Sequence, residues 1–116
     1  MNPPEDAPFI IEKFDDRKLA VITFAKQCDY LRTENHEKDL FSLVEHFEII
    51  ACDLTHTETI ASEWLRWLAM MAKQARRSGK KLFLFGVKKQ VLKTADLLGL
   101  NEVFQIKESI NKGIEE

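Results

Sequence analysis

Asp53, His56 and Ser62 fall within one short polar stretch of EIIACDLTHTETIASEWLRWL, Glu48 to Leu68. Carboxylate, imidazole and hydroxyl are the groups of an acyl-transfer triad, in which an acid orients a histidine that takes a proton from a nucleophile. That chemistry needs base, nucleophile and oxyanion hole held in register. Three residues on one loop meet that geometry only by accident, and the G-x-S-x-G elbow that would present a nucleophile is missing. His36, His46 and His56 recur ten residues apart and share no i,i+4 helix face or Cys/Asp cluster, so no metal site is expected. The four glycines stand singly at 79, 86, 99 and 113, which provides no phosphate-cradling loop and no reason to expect a cofactor. The expectation is a protein that is not an enzyme.

The hydroxyls leave two readings open. Ser62, just before a helical pattern, could cap that helix by accepting an otherwise unpaired N–H of its first turn, and Thr59 could do so one turn earlier. The same position exposes a serine to the positive end of the helix dipole, which suits an added phosphate. Thr55, Thr57 and Thr59 are further hydroxyl acceptors nearby. Asp53, at the end of an apolar run, is expected to hydrogen-bond backbone amides of the loop that follows.

The elements that must position these residues follow from periodicity. PFIIEKF and KLAVITFA are β-rich runs separated by Asp15-Asp16-Arg17, which predicts a hairpin. Residues 26–36 show no period and read as a loop. HEKDLFSLVEHF places Leu40, Phe41, Val44 and Phe47 at helical spacing. FEIIACDL reads as a buried strand, and a long helix is predicted from about Thr59 to Ser78. KKLFLFGV is the next strand, KKQVLKTADLLGL a helix closed by Gly99, EVFQIK a short strand and ESINKGIEE a last helical turn or two. The order β-β-α-β-α-β-α-β-α predicts an α/β domain over residues 8–116, with a mostly parallel mixed sheet and an N-terminal β-hairpin. Residues 1–7 read as a flexible leader.

On the long helix, a step of about 100° per residue groups Ile60, Trp64, Leu65, Leu68, Met71, Ala72 and Ala75 on one arc, expected to face the sheet. Trp67 lies at its border, with Glu63, Met70 and Gln74 beyond. These four make a half-exposed strip suited to a protein partner, since Trp and Met are enriched at interfaces. In KQARRSGKK, cations in a last helical turn before Gly79 are what helix termination favours.

Composition narrows the class. The chain has 116 residues, 45% hydrophobic and 31% charged, with net charge −2. That describes an ordinary globular domain with no global drive toward nucleic acid. No apolar run approaches the ~18 residues of a membrane span, and MNPPEDAPF lacks a signal-peptide layout. Cys28 and Cys52 are far apart and form no C-x-x-C; Cys52 reads as a small buried hydrophobe. A cytoplasmic, disulfide-free protein is expected.

The ordered set Asp53-Leu54-Thr55, Ile60-Ala61-Ser62, KQARRSGKKLFLFGV and LLGLNEVFQI resembles the STAS domain, the fold of anti-sigma-factor antagonists. The match is continuous from about Phe47 to Glu115. Ser62 aligns with the family's phosphorylatable serine, Ala61 stands where the family often has Asp, and Glu63-Trp64 replace a small Ser-Gly pair. The resemblance implies a bacterial partner-switching module that binds an anti-sigma factor or serine kinase-like protein. Its docking residues would be Thr57, Glu58, Thr59, Glu63, Trp67 and Met70. It also admits a STAS subunit of a transporter or signalling scaffold without phosphorylation, and a small ligand- or nucleotide-binding STAS domain. It leaves a homodimer open.

Overall fold

The computed structural model describes residues 9–28 and 37–115. The leader at 1–7, most of the loop expected at 26–36, and His36 lie outside the described residues.

The hairpin forms as its pattern predicts. β1 (Phe9–Phe14) and β2 (Leu19–Phe24) pair antiparallel, with Phe14 opposite Leu19. The turn is a single 3₁₀ turn, Asp15–Arg17, closed by Lys18 in the left-handed region (φ 51°) with its N–H on the Asp15 carbonyl. β2 is buried along its whole length, as a strand covered on both faces must be. β3 (Gln27–Cys28) and α1 (Glu37–His46) follow, then β4 (Ile49–Asp53), β5 (Thr59–Ile60) and α2 (Ser62–Arg77). The chain ends with β6 (Lys81–Phe85), α3 (Lys89–Leu97), β7 (Ile106–Lys107) and α4 (Ile110–Glu115).

The main sheet has the order β1-β2-β4-β6-β7, with every pair after the hairpin parallel. The expected α/β domain with a mixed sheet is therefore present. A second sheet, β3 paired in parallel with β5, was not foreseen. It replaces part of the expected loop, and it moves the start of the long helix from Thr59 to Ser62. The strand expected across 102–107 shrinks to two residues, because Glu102 and Val103 turn and Phe104 goes into the core.

One face of the main sheet carries the principal core. Ala20, Ile22 and Phe24 of β2 and Ile50 and Cys52 of β4 meet the apolar arc of α2, with Val91 and Ala95 of α3. Every member expected on the α2 arc is buried, and Ala69 joins them. The opposite face holds Leu19, Val21, Ala51 and Phe83, on which α4 places Ile110 and Ile114. α4 comes this close because Gly113 has no side chain: a Cβ there would lie within the Phe83 ring.

Helix ends are closed locally and at long range. Gly79 (φ 72°) and Gly99 (φ 72°) terminate α2 and α3. The Lys80 N–H reaches the Ala75 carbonyl at 2.8 Å and the Leu100 N–H the Ala95 carbonyl at 2.9 Å. The side chains of Lys80 and Lys81 reach beyond their own helix end. Lys80 Nζ donates to the Val44 and Glu45 carbonyls at the end of α1, and Lys81 Nζ to the Gly113 and Ile114 carbonyls of α4. Each lysine places its charge at the negative end of a helix distant in sequence.

Both thiols are buried and reduced. Burial pushes the Cys28 thiol up to about 12 against a partial offset from its hydrogen bond to the Ala25 carbonyl. Burial raises Cys52 further, and the neighbouring Asp53 charge adds to it. The folded state thus holds both protons at pH values where an unfolded thiol, near 9.0, has lost them. Stability contributed this way is complete below pH 9 and declines as pH rises, by about 1.4 kcal/mol per pH unit for each thiol. Denaturant titrations between pH 8 and 11 are expected to show this decline, and Cys28→Ala/Cys52→Ala to flatten it. Thiol reagents are expected to label the native protein only on unfolding.

Candidate functional site

The polar stretch lies where the parallel strands end. Asp53 closes β4 and its Oδ1 accepts the Thr55 N–H at 2.9 Å, a side-chain-to-backbone turn two residues on. The Thr57 N–H then reaches the Leu54 carbonyl at 3.0 Å. Across the turn, Leu54 N–H donates to the Phe85 carbonyl (3.0 Å), tying the loop to β6. Gly86 (φ 68°) sits directly under Thr55, whose Cα is 3.0 Å from where a Gly86 Cβ would be.

From there the chain is joined to the segment after β2. Thr57 Oγ1 donates to the Ala25 carbonyl at 2.9 Å, and the Glu58 N–H to the Lys26 carbonyl at 2.8 Å. The Ala61 N–H donates to the Cys28 carbonyl at 2.9 Å, and Lys26 and Glu58 approach within 3.6 Å as an exposed ion pair. The loop before α2 is therefore one half of a two-segment platform. Sequence reading could not find Ala25 or Cys28, because each meets the loop through its backbone carbonyl. Gly86 carries the one usable signal, the glycine that follows LFLF.

Two expectations change. Thr57 is completely buried and its hydroxyl is used within the fold, so its side chain is not available to a partner. Ser62 is the first helical residue and not the cap; Ala61 holds the cap position (φ −69°, ψ 150°) with no side-chain hydrogen bond. Thr59 lies in β5 and caps nothing. Among the described residues the Ser62 hydroxyl and the Ser62 and Glu63 amides have no partner. The positive end of a 16-residue helix is open there, with Glu63 as the one acid of its first turn.

The triad is not assembled. Asp53 is bonded to Thr55, and among the described residues neither Asp53 nor Ser62 bonds His56. No three His, Cys, Asp or Glu side chains among the described residues gather where a metal could sit.

On α2, Trp64 is fully buried. It packs edge-on against Phe9 (5.7 Å between ring centres), Phe24 (6.2 Å) and Trp67 (5.6 Å). Trp67 is half-buried against it, while Met70 is 53% exposed and Glu63, Glu58 and Thr59 are open to solvent. Exposed residues of the loop and of the outer side of α2 thus flank Ser62 along the chain.

A family model described as STAS domain matches residues 11–113. The chain belongs to the STAS domain family. Among solved structures, the domain resembles an anti-sigma factor antagonist from Mycobacterium paratuberculosis. That likeness has a TM-score of 0.78 and 16% identity, and covers 99% of this chain and 97% of that one. It also resembles the Bacillus cell fate determinant SpoIIAA in its phosphorylated form (TM-score 0.71, 13% identity, 92% and 96% covered). A third likeness is to SLC26A9 (TM-score 0.67, 14% identity), covering 84% of this STAS domain but 19% of SLC26A9. No curated protein sequence matches. At these identities the structural likeness establishes the STAS fold, with five main-sheet strands and four helices among the described residues. No helix among the described residues is long and apolar enough to cross a membrane.

Proposed function

We propose that residues 8–116 act as a non-enzymatic, cytoplasmic STAS interaction module of the anti-sigma-factor-antagonist kind. It docks an anti-sigma factor or serine kinase-like protein through Glu58, Thr59, Glu63, Trp67 and Met70. The observation that carries this reading is the uncapped start of α2, where the Ser62 hydroxyl is unpartnered beside open amides. A phosphate on Ser62 would meet those amides and the helix dipole, and would bring nearly two negative charges into the docking surface. Support also comes from the family membership and from the likeness to a phosphorylated SpoIIAA.

Incubation with ATP and a serine kinase of the anti-sigma-factor type is expected to add one phosphate by intact mass, absent in Ser62→Ala. Unchanged mass and no complex by size-exclusion with any such kinase would remove the reading. Trp67→Ala and Met70→Ala are expected to weaken the complex, with Met70→Ala leaving the melting temperature unchanged.

The likeness to a segment of SLC26A9 favours a second reading, a STAS subunit attached to a transporter or scaffold with Ser62 unmodified. Glu63 and Trp64, in place of the family's small pair, fit that reading as well. Complex formation without any phosphate on Ser62 would select it.

A further inference from the structure

Charge is segregated in this chain. On α2, the exposed Arg66, Lys73, Arg76 and Arg77 stand against one acid, Glu63. On α3 and the residue before it, the exposed Lys88, Lys89 and Lys93 stand against Asp96. Both helices pack on the same core cluster over the same face of the sheet, so their outer sides form one surface. That surface carries five net positive charges in a chain of net charge −2, which leaves minus seven on the rest of the molecule.

None of these seven cations is ion-paired among the described residues, where the ion pairs are Lys26–Glu58 and Lys112–Glu108. Two apolar side chains stand out among them: Met70 is 53% exposed and Leu97 is 79% exposed. The α2 part follows a strict helical stripe, Glu63, Arg66, Met70, Lys73 and Arg77, with half-buried Trp67 alongside.

We propose that the outer face of α2 and α3 docks an acidic protein surface, with Met70 and Leu97 entering apolar sites and the flanking Arg and Lys meeting carboxylates. This rests on the docking reading above and adds the partner's chemistry: an apolar groove with an acidic rim. Arg, Met and Trp are the types concentrated at protein interfaces, and a helix offering anchors at i, i+3/i+4 and i+7 is suited to a groove. A polyanion alone would gain nothing from two exposed aliphatic side chains. A bilayer would meet a molecule whose remaining charge is strongly negative. Unpaired cations also speed encounter with an acidic partner, in a salt-dependent way.

The test is an amide-resolved NMR titration of the full chain. The probe is a short helical peptide with a leucine stripe flanked by glutamates. Its twin, with serine for each leucine, and a single-stranded oligonucleotide and phosphatidylglycerol vesicles of matched charge are the comparators. Shifts are expected in residues 63–77 and 88–97 with the leucine peptide, at an affinity that falls with added salt. Arg66→Glu/Lys93→Glu is expected to weaken binding at least tenfold and Met70→Ser/Leu97→Ser several-fold. All four sites are exposed, and melting temperature verifies the fold of each variant. Equal binding of both peptides, tighter binding of the oligonucleotide or vesicles, or shifts outside α2 and α3 would each overturn the proposal. Ser62→Ala is expected to leave peptide binding intact, so loss of the phosphate switch and loss of the acidic-partner face read out separately.

Discussion

Trp64→Ala is expected to lower the unfolding free energy by roughly 3–5 kcal/mol, the range for emptying a buried aromatic site. In a domain of this size the melting temperature falls by on the order of 10 °C or more. The indole is fully buried and, among the described residues, edge-on to Phe9, Phe24 and Trp67, so its loss leaves a cavity bordered by these rings. These rings belong to β1, β2 and α2, and close relaxation would have to move all three elements together. Chemical denaturation measures the loss directly. Trp64→Phe, which keeps an aromatic ring in place, is expected to recover a substantial part of it. A change under 1 kcal/mol for Trp64→Ala would mean the rings collapse freely and that Trp64 does not anchor the hairpin to α2. Trp64 stands two places after Ser62, so the rings that anchor the hairpin pack against the first turn of α2.

Gly86→Ala is the second large expected effect, about 2–4 kcal/mol, and its cause is local. The residue holds φ 68°, where a Cβ is strained. The added methyl would also press on Thr55, with the Thr55 Cα at 3.0 Å, so overpacking adds to the strain. Because Thr55 belongs to the turn that Asp53 holds, the damage is directed into the platform before α2. Hydrogen exchange at Thr55, Thr57 and Glu58 is expected to quicken more than in β2. Thr55→Gly in the Gly86→Ala background is expected to restore part of the loss, leaving the φ penalty. Gly79→Ala provides the comparison: its φ is 72° but nothing lies within 4 Å of the added Cβ, so the strain appears alone. Equal costs at Gly79 and Gly86 would show that the contact with Thr55 contributes nothing.

The hairpin, the buried strands, the long helix and its sheet-facing arc were legible because each is written in local periodicity. Alternation at two residues and recurrence at 3.6 reflect which side of an element meets the core, and that needs no knowledge of partners. Gly79 and Gly99 could be placed as helix ends for a similar reason, since only glycine takes the left-handed turn readily. The ordered motifs around Asp53, Ser62 and the LFLFG strand were enough to identify the STAS pattern, and Asp53 holds its loop as its strand-end position implied.

What lay beyond the sequence depends on segments brought together across the chain. β3 and β5 are two residues each, too short to carry a period, and they exist because Gln27-Cys28 lies beside Thr59-Ile60. That pairing is why α2 starts at Ser62, leaving the serine in the first turn instead of at the cap. Thr57 reads as an exposed hydroxyl until the Ala25 carbonyl, 32 residues earlier, is placed against it. Lys80 and Lys81 read as part of a cationic helix end, yet each amine reaches a different helix. Local sequence determined which of the longer elements form and which side of each is apolar. Only the tertiary structure decided which polar groups are consumed by backbone partners and which, like the Ser62 hydroxyl, are left for others, because a hydrogen-bond partner is set by distance in space and not along the chain.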